Sequence, residues 1–173
     1  RAAFADAVSR AESAGLVIKT IDLSPFLAAA KLLYDDALVA ERYDAVGEYI
    51  DGGGSDLDPT VAGIIRSANR FGAVDLLRAH RKLDELRELA MTEWGDATAL
   101  IVPTAPMHPT LADVDADPVG VNSRMGTYTN FCNLFDLCGL AIPSGIVDET
   151  DGSQAQFGIT LAHRAGGIKG QGA

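Results

Sequence analysis

Apolar residues of the first half recur mostly at steps of three and four, the helical period. Residues 3–14, AFADAVSRAESA, place Phe4, Val8 and Ala11 on one stripe, which predicts an amphipathic helix stopped by Gly15. The next run, Leu16 to Ile21, is β-branched and apolar, and predicts a strand. Ser24-Pro25 then reads as a cap followed by proline at the first helical position. The helix it opens extends to about Ile50, with room for breaks, and ends at Asp51-Gly52-Gly53-Gly54-Ser55. Those glycines read as a turn and not a phosphate loop, because no Gly-Lys-Ser/Thr follows. Asp58-Pro59 caps a short helix. Gly72 leads into a longer one, whose stripe is Leu76, Ala79, Leu83, Leu86 and Ala90. His80 falls at the edge of that stripe and reads as a solvated helix histidine.

The second half changes period. Ala99 to Val102 is a short apolar run of the kind expected for a strand buried on both faces, ended by Pro103 and Pro106. Residues 107–118 read as a solvated loop. Its acids, Asp113, Asp115 and Asp117, lack the glycine and closing glutamate of a calcium loop. Residues 122–137 predict a turn leading into a helix, and 138–142 a second buried strand ended by Pro143. Residues 156–161 predict a last strand, and the glycine-rich 162–173 a disordered tail. Helices and strands together place the chain in the α/β class.

With 173 residues and 47% hydrophobic content, the chain is sized for about one domain with a real core. A net charge of -10 and the lack of long Lys/Arg clusters argue against nucleic acid and anionic membrane surfaces as partners. Apolar runs are too short to span a bilayer. Cys132 and Cys138 lie in apolar context without a CxxC or Cys/His set, so buried free thiols are expected and no metal. Arg1 opens the sequence with no basic-then-apolar signal segment after it, which gives the expectation of a cytoplasmic, trimmed or partial chain.

One stretch departs from generic patterning. Pro103-Thr104-Ala105-Pro106, Asp117-Pro118, Asn122-Ser123, Gly126-Thr127-Tyr128-Thr129-Asn130-Phe131, Asn133-Leu134, Asp136-Leu137 and Pro143 occur in one order. In these the chain resembles the later part of the amidase-signature domain of allophanate hydrolases. The resemblance spans roughly residues 1–161, strongest from about 100 to 145, and stops beyond Thr160. There HRAGGIKGQGA replaces the family's further amphipathic helix, as truncation, a frameshift or a cloning scar would produce. It implies a mixed β-sheet covered by α-helices, of which this chain would form the C-terminal half. It divides the chain into 1–161, amidase domain, and 162–173, tail. The activity it implies is hydrolysis of allophanate, a small anionic urea derivative, to ammonia and carbon dioxide, without a cofactor, in a homodimer.

Amidase-signature enzymes use a serine nucleophile, bridged by a second serine to a deprotonated lysine. Serine needs such a base because it is a weak nucleophile at its own pKa. None of Ser9, Ser13, Ser24, Ser55, Ser67, Ser123, Ser144 or Ser153 lies in the Gly/Ser-rich run this machinery occupies. Lys19, Lys31, Lys82 and Lys169 likewise lack its context. A triad of Ser144, His163 and an aspartate has no G-x-S-x-G elbow to support it. No catalytic residue is therefore assigned, and the 173 residues alone are expected to be inactive. The resemblance assigns substrate binding to Tyr34 and Arg42. They are expected on one helix, eight residues or two turns plus about 80° apart. Arginine suits a carboxylate because its planar fork makes two parallel hydrogen bonds. Arg42 equally reads as a solvated charge and Tyr34 as a core-edge aromatic. Tyr128 and Asn130 either line the pocket or hold the turn before the next helix. Two other functions stay open: an amidase of another specificity, such as an amidotransferase subunit, and a non-catalytic binding module derived from an amidase. Unpaired sheet edges would leave the isolated piece unstable.

Overall fold

The structure, a computed structural model, describes residues 2–54, 56–149 and 152–164, apart from the side chains of Tyr34 and Asp35. In chain order it runs α1 (Ala2–Ser13), α2 (Ser24–Asp35), α3 (Val39–Asp51), α4 (Pro59–Arg66), a 3-10 turn (Ser67–Arg70) and α5 (Ala73–Trp94). β1 (Leu100–Pro103), α6 (Leu111–Ala116), α7 (Pro118–Met125), α8 (Asn130–Leu134), β2 (Leu137–Asp148) and β3 (Gln154–Arg164) follow.

Local chemistry sets most of the helix ends. Gly15, at φ +92, lets the chain turn back so that Leu16 N–H reaches the Ala11 carbonyl at 3.1 Å. Ser24 does not cap α2 as expected. Its N–H and hydroxyl both donate to Asp22 Oδ1, at 2.9 and 2.6 Å, so the anchor is the aspartate two residues earlier. Asp58 does cap α4, accepting from Thr60 N–H at 2.8 Å and Val61 N–H at 3.0 Å. The expected loop at 107–118 contains α6. Thr110 and Asp113 make a capping box, and the carboxylate that read as solvated accepts the Thr110 N–H at 2.9 Å. Asp117-Pro118 then repeats the Asp-Pro start of α4 to open α7.

The main core lies where α2, α5 and α8 meet the sheet. It holds Phe26, Ala29 and Ala30 from α2; Leu86, Ala90 and Trp94 from α5; Leu100 and Val102 from β1; and Phe131, Phe135 and Ala162. Phe26 stands at its centre, edge-on to Phe131 (5.2 Å between centroids) and Phe135 (5.9 Å) and tilted to Trp94 (6.1 Å). The α5 stripe buries Ala79, Leu86 and Ala90 as its period requires.

The sheet has the order β1-β3-β2. Of the mixed sheet the resemblance implies, the described residues hold three strands, antiparallel throughout. β3 is central, pairing Leu100 with Ala162 on one side and Leu140 with Leu161 on the other. Four expectations are corrected here. Residues 16–21 form no strand, because no strand among the described residues pairs with them, and Val17 is 98% exposed. β2 does not end at Pro143 but passes it through a register shift before Ile146, which an edge strand tolerates because a proline there need not donate to a ladder. Nor is β2 buried: Leu140 is 61% exposed and Cys138 is exposed, so the thiols are free but only Cys132 is partly covered. Finally, residues 162–164 continue β3, with Ala162 fully buried, so these three are not the disordered tail expected there; the rest of that tail, 165–173, lies outside the described residues.

Candidate functional site

The region that carries Tyr34 and Arg42 is a joint between two helices. The single helix expected from 25 to 50 breaks at Asp36, which adopts an extended conformation (φ -134, ψ 175), and restarts at Val39. Tyr34 is the penultimate residue of α2, and Arg42 sits in the first turns of α3. The two-turns-plus-80° relation therefore does not apply. The break nonetheless brings the two positions together. The half-buried guanidinium of Arg42 turns back, and its Nη2 donates to the Leu33 carbonyl at 3.1 Å, one residue before Tyr34. Leu33 belongs to the last turn of α2, where the helix presents unpaired carbonyls and the negative end of its dipole, so a cation is well placed there.

Both ends of α3 are anchored. At its start Ala37, Leu38 and Val39 are almost wholly buried, at 0, 5 and 1% exposure. Ala37 and Leu38 pack on Ala79 of α5. At its end Tyr43 donates its hydroxyl to Asp51 Oδ2 at 2.5 Å. Arg66 of α4 donates from Nε to Asp51 Oδ1 at 3.1 Å and from Nη2 to the Ile50 carbonyl at 2.6 Å. The Tyr43 hydroxyl first, and Arg66 second, hold the Asp51 carboxyl below its ordinary range. Arg42 thus sits on a helix fixed at both ends.

The other candidates separate. His80, on α5, lies 3.5 Å from Glu41 of α3 and is about half exposed. Ser144 and His163 do not form a dyad. His163 pairs opposite Cys138, six residues from Ser144 along β2, or about 20 Å at strand rise. Ser144 instead ties α1 to the sheet, accepting from Arg10 Nη2 on its carbonyl at 2.5 Å and on its hydroxyl at 2.9 Å. Tyr128 packs against the main core, and the Asn130 side chain lies against Gly126 in the turn before α8. Among the described residues no group of three or more His, Cys, Asp or Glu is placed to hold a metal. The residue that sequence reasoning missed is Asp36. Its signal was an Asp-Asp pair inside an otherwise apolar helical pattern.

Comparison with known proteins identifies the fold. No family model matches the chain. It is 42% identical over 144 residues to a urea amidolyase of Lachancea kluyveri and 39% identical over 148 residues to the urea amidolyase of Saccharomyces cerevisiae, matches that cover 82 and 84% of this chain. The Kluyveromyces lactis allophanate hydrolase superimposes over 94% of the chain with a TM-score of 0.84 and 38% identity. The chain is an allophanate hydrolase-like segment. It spans 8% of the length of each of those two urea amidolyases and 26% of the allophanate hydrolase chain. A further amidase structure matches the allophanate hydrolase-like segment at a TM-score of 0.65 and 17% identity, which shows the shared fold. The segment's α/β architecture is therefore that of part of an amidase-signature domain. Among its described residues, no helix is long and apolar enough to cross a membrane.

Proposed function

We propose that the protein carrying this segment hydrolyses allophanate to ammonia and carbon dioxide in urea or triazine breakdown, and that the segment forms the substrate-binding wall and not the Ser-Ser-Lys triad. Tyr34 and Arg42 are the residues assigned to the substrate, the guanidinium meeting its carboxylate. The observation that carries the reading is the match to allophanate hydrolase over 94% of the chain, taken with Arg42 being held beside the α2 turn that bears Tyr34. The same reading carries a cytoplasmic, homodimeric enzyme.

The test is Arg42→Ala in the complete enzyme. A lost charged hydrogen bond is worth about 1.5–3 kcal/mol, so KM for allophanate should rise roughly 10- to 150-fold, with discrimination against neutral amides falling. Unchanged kinetics for allophanate would remove Arg42 from the site. Binding of the substrate carboxylate without any turnover by the complete protein would favour the non-catalytic module instead.

A further inference from the structure

We propose that Asp36 is a positioning residue for this substrate site, acting by exchanging the hydrogen-bond partners of the α2–α3 joint so that Arg42 can dock on α2; the proposal rests on the reading above. In an uninterrupted helix the Leu33 carbonyl would accept the N–H of Ala37, four residues on. Residues 33 and 42 would also be separated by about 13 Å of helical rise, beyond the span of an arginine side chain. Neither relation holds. Asp36 Oδ1 takes the Ala37 N–H at 2.7 Å, and the Leu33 carbonyl accepts from Arg42 instead. The Asp36 carbonyl meanwhile accepts the Val39 N–H at 3.3 Å, and Ala37 and Leu38 accept from Ala40 and Glu41, so α3 starts winding at once. No glycine or proline lies between Asp35 and Val39 to impose the break.

The joint is a poor place for a freely adjustable loop. It is buried at Ala37, Leu38 and Val39, so its course is set by packing once the aspartate has diverted the chain. Asp36 is partly buried and lines an open hollow of about 330 Å³ with Phe71, Asp75, Arg78, Ala79 and Lys82, and the group its carboxylate accepts from is the backbone N–H of Ala37. The chemistry needed is a short side-chain acceptor, which aspartate and asparagine supply equally.

The test is a set of Asp36 variants in the complete enzyme, with KM and kcat measured separately beside Arg42→Ala. Loss of such a cap is worth about 1 kcal/mol, so Asp36→Ala should raise KM for allophanate roughly fivefold and leave kcat within about twofold. Asp36→Asn, which keeps the acceptor, should stay within about twofold of the parent in both. Asp36→Glu keeps the charge but displaces the oxygen by one methylene, and should raise KM like the alanine variant; it serves where the alanine variant does not fold. A parental KM in Asp36→Ala or Asp36→Glu, alongside a raised KM in Arg42→Ala, overturns the proposal and leaves the substrate assignment standing. An asparagine variant as impaired as the alanine one overturns the hydrogen-bond exchange. A parental KM in Arg42→Ala overturns the assignment and this proposal together.

Discussion

Phe26 is the residue through which α2 is held to the rest of the fold, and truncating it gives the sharpest test of the packing. Its side chain is wholly buried and its ring meets three others at 5.2–6.1 Å between centroids, from α5, α8 and the turn after α8. Phe26→Ala removes the ring from a site bounded by helices on two sides, which cannot close onto the void without moving α2 itself. Phe-to-Ala changes in such cores cost about 3–5 kcal/mol, the aromatic contacts included. Since 1.4 kcal/mol is a factor of ten, amides of α2 should open about 100- to 4,000-fold more often. Peptide-resolved hydrogen exchange on the complete protein reads this directly, comparing residues 26–35 with the far end of α5 as an internal reference. Phe26→Leu, which refills part of the void, should cost about 1 kcal/mol and accelerate α2 by less than about tenfold. Exchange in α2 that rises by less than tenfold in the alanine variant would refute the claim that this ring cluster anchors the helix.

Two further outcomes follow from single contacts. At Gly126 a Cβ would collide with the side-chain amide of Asn130, while its φ of -81 is ordinary, so Gly126→Ala should destabilise through that contact alone, by about 1 kcal/mol, the low end for overpacking because the amide can swing aside. Adding Asn130→Ala should recover most of the loss in a thermal double-mutant cycle; strictly additive effects would contradict it. The Asp113 carboxyl is held below its ordinary range, chiefly by the Thr110 hydroxyl and then by the Thr110 N–H. A depressed folded-state pKa stabilises above the unfolded value and is lost as pH falls through the folded one. The start of α6 should therefore be intact at neutral pH and fray on acidification below the ordinary carboxylate range. Amide NMR shifts of residues 110–116 would follow this, and Asp113→Asn should abolish that response. An identical acid titration in the variant would disprove it.

The parts of the fold legible in the sequence are those decided within one or two turns. The α5 stripe, the Asp58 cap and the glycine stop after α1 each depend on neighbours a few residues away, and the structure has them where the pattern puts them. What was hidden depends on partners elsewhere. Leu16–Ile21 has the composition of a strand, but composition does not supply a neighbouring edge. Pro143 looked like a terminus because a proline ends a central strand, and only the strand order shows that β2 is the outer strand of the three described. The short helices α6 and α7 were masked by acids that read as solvated and are in fact caps. At the site, the spacing of Tyr34 and Arg42 was visible through resemblance, but the joint between them was not. Asp36 breaks the helix by taking one backbone N–H, a competition that periodicity does not register.

The position of β3 also carries a consequence for how the polypeptide acquires its shape. It is the middle strand of the sheet yet the last of the three in chain order. As the chain emerges from a ribosome, β1 and β2 are both made before β3, the strand with which each of them pairs among the described residues. The apolar residues of β1, and the helices that pack over it, must wait some fifty residues for their ladder. The β2–β3 hairpin is the local event and can close first. β1 then docks as the late, long-range step, and until it does the Phe26 cluster lacks its floor.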